Sequence, residues 1–188
     1  DGLDVDTYEA GEGSSSLTYL LDMNGDQRSE LVLTRFATVE LQGLGLGVSE
    51  TAKEWDYLLD AEPGAILVVD FNNDGRDELL LGAQNGKLHY LVNGNNLEWK
   101  HAPGGAITQL ALLQRAGFAE AVAIVVGRNN SNPETQEPPE NQSWVELRQT
   151  NGERIWEFPL AAPITDLLVE DTDDQGDPEI IVSTTDGL

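Results

Sequence analysis

The sequence has no cysteine in its 188 residues, which excludes disulfides and thiolate metal sites. Its only histidines are His89 and His101, and it has no Gly-x-Ser-x-Gly elbow, so little is available for a nucleophilic triad. No apolar run reaches about 18 residues, so no segment is predicted to insert into a membrane. The apolar runs are short and broken by Gly or Asn, which argues against helices.

Positive charge is scarce. The chain has 10 Lys and Arg against 34 Asp and Glu, a net charge of −24. Nucleic acids and anionic membrane surfaces bind basic faces, so neither is an expected partner. Several cation sites or adaptation to high salt would each explain the excess. Because many of the acids cluster in three short stretches, cation sites account for part of it.

The length and a hydrophobic content of 39% predict a single ordinary folded unit over residues 1–188. The chain begins with Asp1, not an initiator methionine, and has no signal-peptide pattern. We therefore expect a trimmed piece of a longer protein, whose targeting information has been removed.

Three stretches place oxygen-bearing side chains at alternate positions and end in a glutamate. They read DMNGDQRSE from residue 22, DFNNDGRDE from residue 70 and DTDDQGDPE from residue 171. Alternating oxygen donors, with a glycine where the backbone turns, suit a hard cation such as Ca²⁺. Carboxylates about 4 Å apart repel by roughly 1 kcal/mol per pair even in water, and a cation would remove that cost. Plain turns, in which Asp and Asn bond backbone N–H groups, remain the metal-free alternative.

An EF-hand is excluded for these loops. It needs a bidentate glutamate at position 12 and flanking helices. Position 12 is Leu33, Leu81 or Val182, each within a strand-like run.

The loop glutamates mark an internal repeat. Glu30, Glu78, Glu120 of a degenerate copy, and Glu179 are separated by 48, 42 and 59 residues. The long spacing contains a polar, proline-rich insertion, Asn129 to Asn141. Without it the period is about 45 residues, the length of one four-stranded propeller blade. The repeats span residues 17–64, 65–105, 106–163 and an incomplete 164–188, with 1–16 as a possible closing strand.

The second repeat shows the expected strands most clearly. AILVVD and ELLLGA are apolar runs, as in strands buried on both faces, whereas KLHYLV and NLEWKH mix polar and apolar residues, as in outer strands. Both histidines lie in these outer strands and are expected to be partly exposed. The pairs Asn85-Gly86, Asn93-Gly94 and Asn151-Gly152 predict hairpin turns with positive φ angles.

A tryptophan recurs late in each of the first three repeats: Trp55, Trp99 and Trp156. We expect these side chains to pack between neighbouring sheets; a row of tryptophans forming a ligand platform is the alternative.

These features predict an all-β fold, a β-propeller of four-stranded antiparallel blades. About four repeats are visible, as a partial array or a small closed ring. The last repeat has sequence for two strands and residues 1–16 for at most one more, which favours a partial array. Open blade edges would then allow self-association.

The sequence resembles the FG-GAP/VCBS class of β-propeller repeats, which includes the integrin α-subunit propellers, from Leu17 to Leu188. The resemblance rests on the loop D-x-[DN]-x-D-G-x-x-[DE] between a blade's first two strands. In that family the loop binds Ca²⁺ through side chains at positions 1, 3, 5 and 9 and a carbonyl at position 7.

The resemblance implies up to three Ca²⁺ sites. The implied ligands are Asp22, Asn24, Asp26, the Arg28 carbonyl and Glu30; Asp70, Asn72, Asp74, the Arg76 carbonyl and Glu78; and Asp171, Asp173, Gln175, the Asp177 carbonyl and Glu179. Gln27 replaces the glycine of the first loop, so that turn is expected to be less secure. Gln175 replaces an acid in the last loop, which should weaken binding. The degenerate repeat has Leu112, Gln114 and Ala116 at ligand positions and is predicted to bind no ion.

The expected affinity is on the order of 10⁻⁴ to 10⁻³ M, as in extracellular modules, which points to an extracytoplasmic setting. We therefore expect a non-catalytic binding or scaffold module with a protein or glycan partner, and the insertion Asn129 to Asn141 as contact element. Two alternatives remain: the propeller part of a carbohydrate-active lyase or hydrolase, and a structural spacer in a surface or filament assembly.

Overall fold

The computed structural model describes residues 18–26, 28–43, 52–115, 118–127 and 143–186. Every regular element within these residues is a β-strand. They include no helix capable of crossing a membrane. The possible closing strand at 1–16 and the insertion at 129–141 lie outside the described residues.

The strands form four sheets, which we number in chain order. Sheet 1 contains β1 (Thr18–Leu21), β2 (Glu30–Arg35), β3 (Thr38–Gly43) and β4 (Ala52–Leu58). Sheet 2 contains β5 (Pro63–Val69), β6 (Glu78–Ala83), β7 (Leu88–Val92) and β8 (Asn96–His101). Sheet 3 contains β9 (Ala106–Arg115), β10 (Phe118–Gly127), β11 (Ser143–Gln149) and β12 (Arg154–Leu160). Sheet 4 contains β13 (Ile164–Glu170) and β14 (Glu179–Thr184).

Each sheet is an antiparallel meander in which consecutive strands are hydrogen-bonded neighbours. The prediction of an all-β fold built from four-stranded antiparallel sheets is confirmed for sheets 1, 2 and 3. Sheet 4 has two described strands. The described residues thus form a row of successive sheets.

In the part of the chain that the structure describes, the core consists of three apolar layers, each between two successive sheets. Sheets 1 and 2 share a cluster that includes Val32, Val39, Leu79, Leu81 and Leu91. Sheets 2 and 3 share one that includes Leu80, Leu88, Ile107, Ile124 and Val126. Sheets 3 and 4 share one that includes Ala123, Val145, Leu147, Ile180 and Val182. Each sheet is therefore stabilised by its neighbours, as in other repeat architectures.

Burial within sheet 2 is greatest on its second and third strands. All of β6 is buried, β7 is buried apart from Val92, and β8 is mostly exposed. The expectation that the third strand regains exposure is wrong, because sheets 1 and 3 cover both faces of β7. His89 is only 1% exposed, so its predicted partial exposure is also wrong, whereas His101 is partly exposed as expected.

The Asn-Gly pairs all lie in hairpin turns, but positive φ falls mainly on the glycines. Gly86 and Gly152 have φ of 80° and 86°. In the pair at 93–94 both residues have positive φ angles, 46° for Asn93 and 93° for Gly94. Only this last turn has the two positive angles expected from the sequence.

Trp55 and Trp99 pack against the first and second apolar layers, which confirms the inter-sheet role predicted for them. Trp156 differs. Its side chain remains 37% exposed on β12.

Gly64, on β5, lies where sheet 2 packs directly against the backbone of sheet 3. A Cβ added to Gly64 would fall on the carbonyl oxygen of Ile107, a backbone atom that cannot swing aside. We predict that Gly64→Ala lowers the free energy of unfolding by about 1–3 kcal/mol, measured by urea denaturation. Gly127→Ala is the matched control, because its Cβ would lie 3.9 Å from the Ala106 oxygen. Equal stability of the two variants would contradict this packing.

His89 is held neutral in the layer between sheets 1 and 2. Its Nδ1 lies 2.8 Å from the Tyr57 hydroxyl, and its buried Nε2 has no hydrogen-bond partner among the described residues. Burial, with a smaller contribution from Lys100, lowers the pKa of His89 from 6.5 to about 4. Charging this ring in the folded state is therefore unfavourable.

This shift predicts acid sensitivity. Between pH 6.5 and about pH 4, His89 is protonated in the unfolded chain but stays neutral in the folded chain. The free energy of unfolding therefore falls as the pH is lowered through this range. The loss from this one group should be roughly 3 kcal/mol. Urea unfolding at intervals from pH 7 to pH 4 should show a shallower decline for His89→Gln. An unchanged slope would contradict the buried neutral histidine.

Candidate metal centres

The three acidic stretches occupy equivalent places in sheets 1, 2 and 4. Each connects a sheet's first strand to its second; we call residues 22–29, 70–77 and 171–178 loop 1, loop 2 and loop 3. Each loop glutamate is the first residue of the second strand and pairs with the last residue of the first. The pairs are Leu21 with Glu30, Val69 with Glu78, and Glu170 with Glu179.

Loop 2 is organised by side chains that accept backbone N–H groups. Asp70 accepts from Asp74 at 3.1 Å and from Gly75 at 2.8 Å. Asn72 also accepts from the Asp74 amide, at 2.8 Å, and its own side-chain amide donates to Glu78 at 3.1 Å. The other Glu78 oxygen accepts from the Phe71 amide at 2.8 Å, which fixes the glutamate against the loop's start.

Loop 1 repeats four of these five bonds at the same positions; the second bond to Asp22 comes from Gly25 at position four, whereas Gly75 at position six donates to Asp70. Asp22 accepts from Gly25 and Asp26, Asn24 accepts from Asp26, and Glu30 accepts from the Met23 amide at 2.9 Å. The Asn24 side chain donates to Glu30 at 3.3 Å, as Asn72 does to Glu78. Two loops with different sequences therefore share most of their local hydrogen bonds.

Loop 3 follows the same plan with one substitution. Asp171 accepts from Gln175 and Gly176, and Asp173 accepts from Gln175 at 3.1 Å. Thr172 donates to Glu179 through both its amide and its hydroxyl, each at 2.8 Å. This threonine, absent from the predicted set, supplies the second bond that Asn24 and Asn72 give elsewhere.

The fourth and sixth loop positions have left-handed backbone. Position four is Gly25, Asn73 or Asp174, with φ of 75°, 58° and 59°. Position six is Gly75 at 84° or Gly176 at 89°. Gln27, the sixth residue of loop 1, lies outside the described residues.

In each loop three carboxylates converge. The groups are Asp22, Asp26 and Glu30; Asp70, Asp74 and Glu78; and Asp171, Asp173 and Glu179. Within each group, one oxygen of every residue lies within 4.8 Å of the others. Oxygens at this separation suit a hard divalent cation, since Ca²⁺ is held by oxygens 2.3–2.6 Å from the ion. The sequence had predicted these same acids.

The remaining predicted ligands lie in the loops without a demonstrated role in the clusters. Arg28 and Arg76 hold position seven, and their amides donate to Asp26 and Asp74 at 2.9 and 3.0 Å. Asp177 holds that position in loop 3, and Gln175 lies beside Asp171 and Asp173. The ligand roles of the three position-seven carbonyls and of the Gln175 side chain stay predictions.

Glu78 carries the electrostatic strain of its cluster. Burial raises the pKa of this carboxyl, and the nearby Asp74 and Asp70 raise it further. The Tyr90 hydroxyl, which the sequence gave no reason to single out, hydrogen-bonds to Glu78. Negative charge is thus held here at a cost that a bound cation would offset.

Comparison with known families decides the class of sheet 2. Residues 63–96, which span β5, loop 2, β6 and β7, match the FG-GAP repeat. Sheet 2 carries an FG-GAP repeat. The resemblance drawn from the loops is therefore confirmed for these residues.

Solved structures extend the likeness beyond this FG-GAP repeat. BBS1N in complex with ARL6DN, from crystals soaked with lead, matches at TM-score 0.60 and 18% identity over 96% of this chain and 53% of that chain. The mercury-soaked crystal gives 0.60 and 19%, over 90% and 48%. The V. cholerae biofilm matrix protein Bap1 matches at TM-score 0.53 and 18% identity, over 81% of this chain and 22% of that chain. None of the curated proteins compared matches.

At these identities the structural likeness shows a β-propeller-like fold and nothing finer. The chain spans about half the length of the BBS1N chains it matches.

Sheet 3 departs from the FG-GAP pattern at its loop. β9 and β10 are each 10 residues long and continue pairing to Arg115 and Phe118, where sheets 1, 2 and 4 open into acidic loops. Leu112 packs against the layer shared with sheet 2, and Gln114 is exposed. Ala116 lies outside the described residues. That this repeat binds no ion stays a prediction.

A buried carboxylate outside the loops has a structural role. Glu146, on β11, accepts from Arg148 at 2.7 and 2.6 Å and from the Trp144 indole at 3.1 Å. Arg148 also donates to the Gly152 carbonyl at 2.8 Å. This ion pair is satisfied on several sides and ties β11 to its following turn.

Loops 1 and 2 are directly joined. The Asp22 amide donates to the Asp77 carboxylate at 2.8 Å, and the Asp77 amide donates to the Asp22 carbonyl at 2.9 Å. This reciprocal pair connects the FG-GAP repeat of sheet 2 to the equivalent loop of sheet 1.

Removing the Asp77 carboxylate should therefore loosen loop 1. We predict that Asp77→Ala lowers the free energy of unfolding by about 1 kcal/mol in chelator, measured by urea denaturation. Glu153→Ala is the control, because it removes one negative charge from an exposed turn. A loss no larger than that of the control would contradict a structural bond between the loops.

Proposed function

We propose that this chain is a non-catalytic, calcium-stabilised binding module of β-propeller type that works in an extracytoplasmic setting. The observation that carries the proposal is the recurrence of one loop geometry, with three converging carboxylates, in sheets 1, 2 and 4. The FG-GAP match at residues 63–96 supports calcium as the ion, because loop 2 lies within the matched residues and the loops of that family bind Ca²⁺.

The chain's own residues would hold Ca²⁺ at the carboxylate clusters. Asp22, Asp26 and Glu30 would do so in loop 1, Asp70, Asp74 and Glu78 in loop 2, and Asp171, Asp173 and Glu179 in loop 3. A bound ion would neutralise part of the charge that raises the Glu78 pKa. Since each cluster joins the end of one strand to the start of the next, binding would stiffen one end of each sheet.

A protein or glycan partner is supported by charge and by likeness. The net charge of −24 disfavours nucleic acid and anionic membranes. BBS1N, which shares the fold, is in complex with the protein ARL6DN. Bap1, a biofilm matrix protein, supports the extracytoplasmic setting. The insertion Asn129 to Asn141, our candidate contact element, lies outside the described residues.

A non-catalytic role is supported by the state of the side chains best suited to acid–base chemistry. His89 is buried against Tyr57. His101 packs against Trp99, with ring centroids 5.1 Å apart. Glu146 is engaged by Arg148. These groups are used for packing and internal ion pairing.

Calcium should raise the thermal stability of the full chain. At 10 mM Ca²⁺ and the affinity expected for extracellular modules, each occupied site should add about 1.4–2.7 kcal/mol. For a domain of this size that corresponds to roughly 2–4 °C per kcal/mol. Differential scanning calorimetry with calcium and with chelator measures the difference.

Asp74→Ala should lose about one site's share of this gain, because it removes a carboxylate of loop 2. Gln114→Ala, at the same end of sheet 3, should keep the full gain. An equal gain from NaCl at matched ionic strength would mean charge screening alone. That outcome, or no gain in calcium, would refute the metal assignment.

A further inference from the structure

Four Asn-Gly pairs lie in the chain, one in loop 1 at 24–25 and three in hairpin turns at 85–86, 93–94 and 151–152. In such a pair the glycine amide nitrogen can attack the side-chain carbonyl carbon of the asparagine, because glycine has no side chain to block the approach. Asparagine is accordingly counted among the thermolabile residues. The same residue follows all four asparagines, so differences in their reactivity have to come from the structure.

The turns at Gly86 and Gly152 restrain the attacking nitrogen. Each glycine amide donates to the carbonyl three residues earlier in the chain, at 3.0 and 2.8 Å. Both glycines are buried. A Cβ at Gly86 would overlap the backbone of Gly105, and one at Gly152 would overlap the His101 ring. Neither turn can therefore rotate without breaking a hydrogen bond and displacing a neighbour.

Loop 1 restrains its pair through carboxylates. The Gly25 amide donates to the Asp22 carboxylate at 2.8 Å. The Asn24 side chain accepts from the Asp26 amide at 2.8 Å and donates to Glu30 at 3.3 Å. A carboxylate beside the amide also opposes the negative charge that the nitrogen gains when it loses its proton.

The turn at Gly94 has neither kind of restraint. In the residues that the structure describes, no backbone oxygen accepts from the Gly94 amide. Gly94 is partly exposed, and a Cβ there would lie 3.5 Å from its nearest neighbour, the Trp55 indole nitrogen. Asn93 is exposed. The nucleophile is therefore free, and the peptide that carries it has room to rotate.

Two donors polarise Asn93 in the sense that the attack requires. Arg76 Nη1 donates to the Asn93 side-chain oxygen at 3.2 Å, where negative charge develops in the tetrahedral intermediate. Asn96 Nδ2 donates to the Asn93 main-chain oxygen at 2.9 Å. That oxygen shares the charge when the Gly94 nitrogen loses its proton, so this bond favours formation of the nucleophile.

The side-chain oxygens of the other two hairpin asparagines have neutral donors. Asn85 accepts from the Lys87 amide at 3.2 Å, and Asn151 accepts from the Glu153 amide at 2.9 Å. Each bond closes an Asx turn, which holds the asparagine in place. These bonds therefore add to the restraint on those two turns.

We propose that Asn93 is a self-modification site, converted in the folded protein to a mixture of isoaspartate and aspartate well before the other three asparagines. The Gly94 nitrogen gives up its proton and bonds to Asn93 Cγ, the Cγ–Nδ2 bond breaks, and ammonia leaves with that proton. The five-membered imide that results takes up one water. Opening at the main-chain carbonyl gives isoaspartate, and opening at Cγ gives aspartate.

The products change the contact between sheets 1 and 2. Either product places a carboxylate beside Arg76 of loop 2 in place of a neutral amide. Isoaspartate also adds a methylene group to the main chain of the turn that lies beside Trp55. The conversion is therefore a time-dependent change at a junction between two repeats, and it requires no calcium.

Peptide mapping of the aged full chain tests the proposal. The protein is incubated in chelator, digested with trypsin and analysed by mass spectrometry. The four pairs fall in separate tryptic peptides, residues 1–28, 77–87, 88–100 and 149–154. The peptide 88–100 should convert about tenfold faster than the others, with fragment ions placing the change at Asn93. Enzymatic methylation should detect isoaspartate in it. In urea all four pairs should convert at similar rates.

A matched pair of variants tests the guanidinium. Arg76→Gln should slow the conversion of Asn93 about threefold, because the contact is exposed to solvent. Arg28→Gln removes the same charge at the equivalent position of loop 1 and should leave the rate unchanged.

A second pair tests the amide donor. Asn96→Ala should also slow the conversion of Asn93. Asn95→Ala should not slow it, because the Asn95 side chain donates to the Asp56 carbonyl instead.

Three results would overturn the proposal. The first is a folded chain in which Asn93 converts no faster than the other three asparagines. The second is the same order of rates in urea, which would assign the difference to local sequence alone. The third is equal slowing by Arg76→Gln and Arg28→Gln. The comparison of sites within the unsubstituted chain decides the matter even if a variant fails to fold.

Discussion

Burial of apolar faces between successive sheets is the constraint on which the rest of the structure depends. An isolated four-stranded sheet exposes both of its faces to solvent, so each sheet here is stabilised mainly by packing against its neighbours. The same contact explains why the middle strands β6 and β7 are the most buried, and why Gly64 must lack a side chain where it meets Ile107. Sheet 4 has two described strands, and Trp156 and Phe158 of sheet 3, which lie beside it, are 37% and 61% exposed.

The acidic loops satisfy the backbone N–H groups that are exposed where the chain turns between two strands. The chain has to turn between two strands of one sheet, and Asp and Asn side chains take up the amides that the turn exposes. The glutamate that begins the next strand closes the loop onto its own start. Those bonds also gather three carboxylates, so the geometry that makes a stable turn concentrates negative charge. The residues that form the turn are therefore the same ones that would bind a cation.

Specific polar contacts join neighbouring repeats in addition to the apolar layers. Asp22 and Asp77 join two loops by reciprocal bonds, and Trp99 binds the turn of the following sheet. These contacts lie at the sheet ends and edges, where apolar burial is weakest.

Spacing and residue type in the sequence were sufficient to predict the strand-rich fold, the repeat, and the nine carboxylates that converge in three loops. They sufficed because loop ligands are close in the chain, so local geometry places them. Burial of His89, the bond from Tyr90 to Glu78, the Asp22–Asp77 pair and the exposure of Trp156 were decided by tertiary structure alone. Each depends on the side chains that a neighbouring strand or sheet contributes. The bonded partners are 12 residues apart for Glu78 and Tyr90 and 55 residues apart for Asp22 and Asp77, so spacing within one loop does not reveal them.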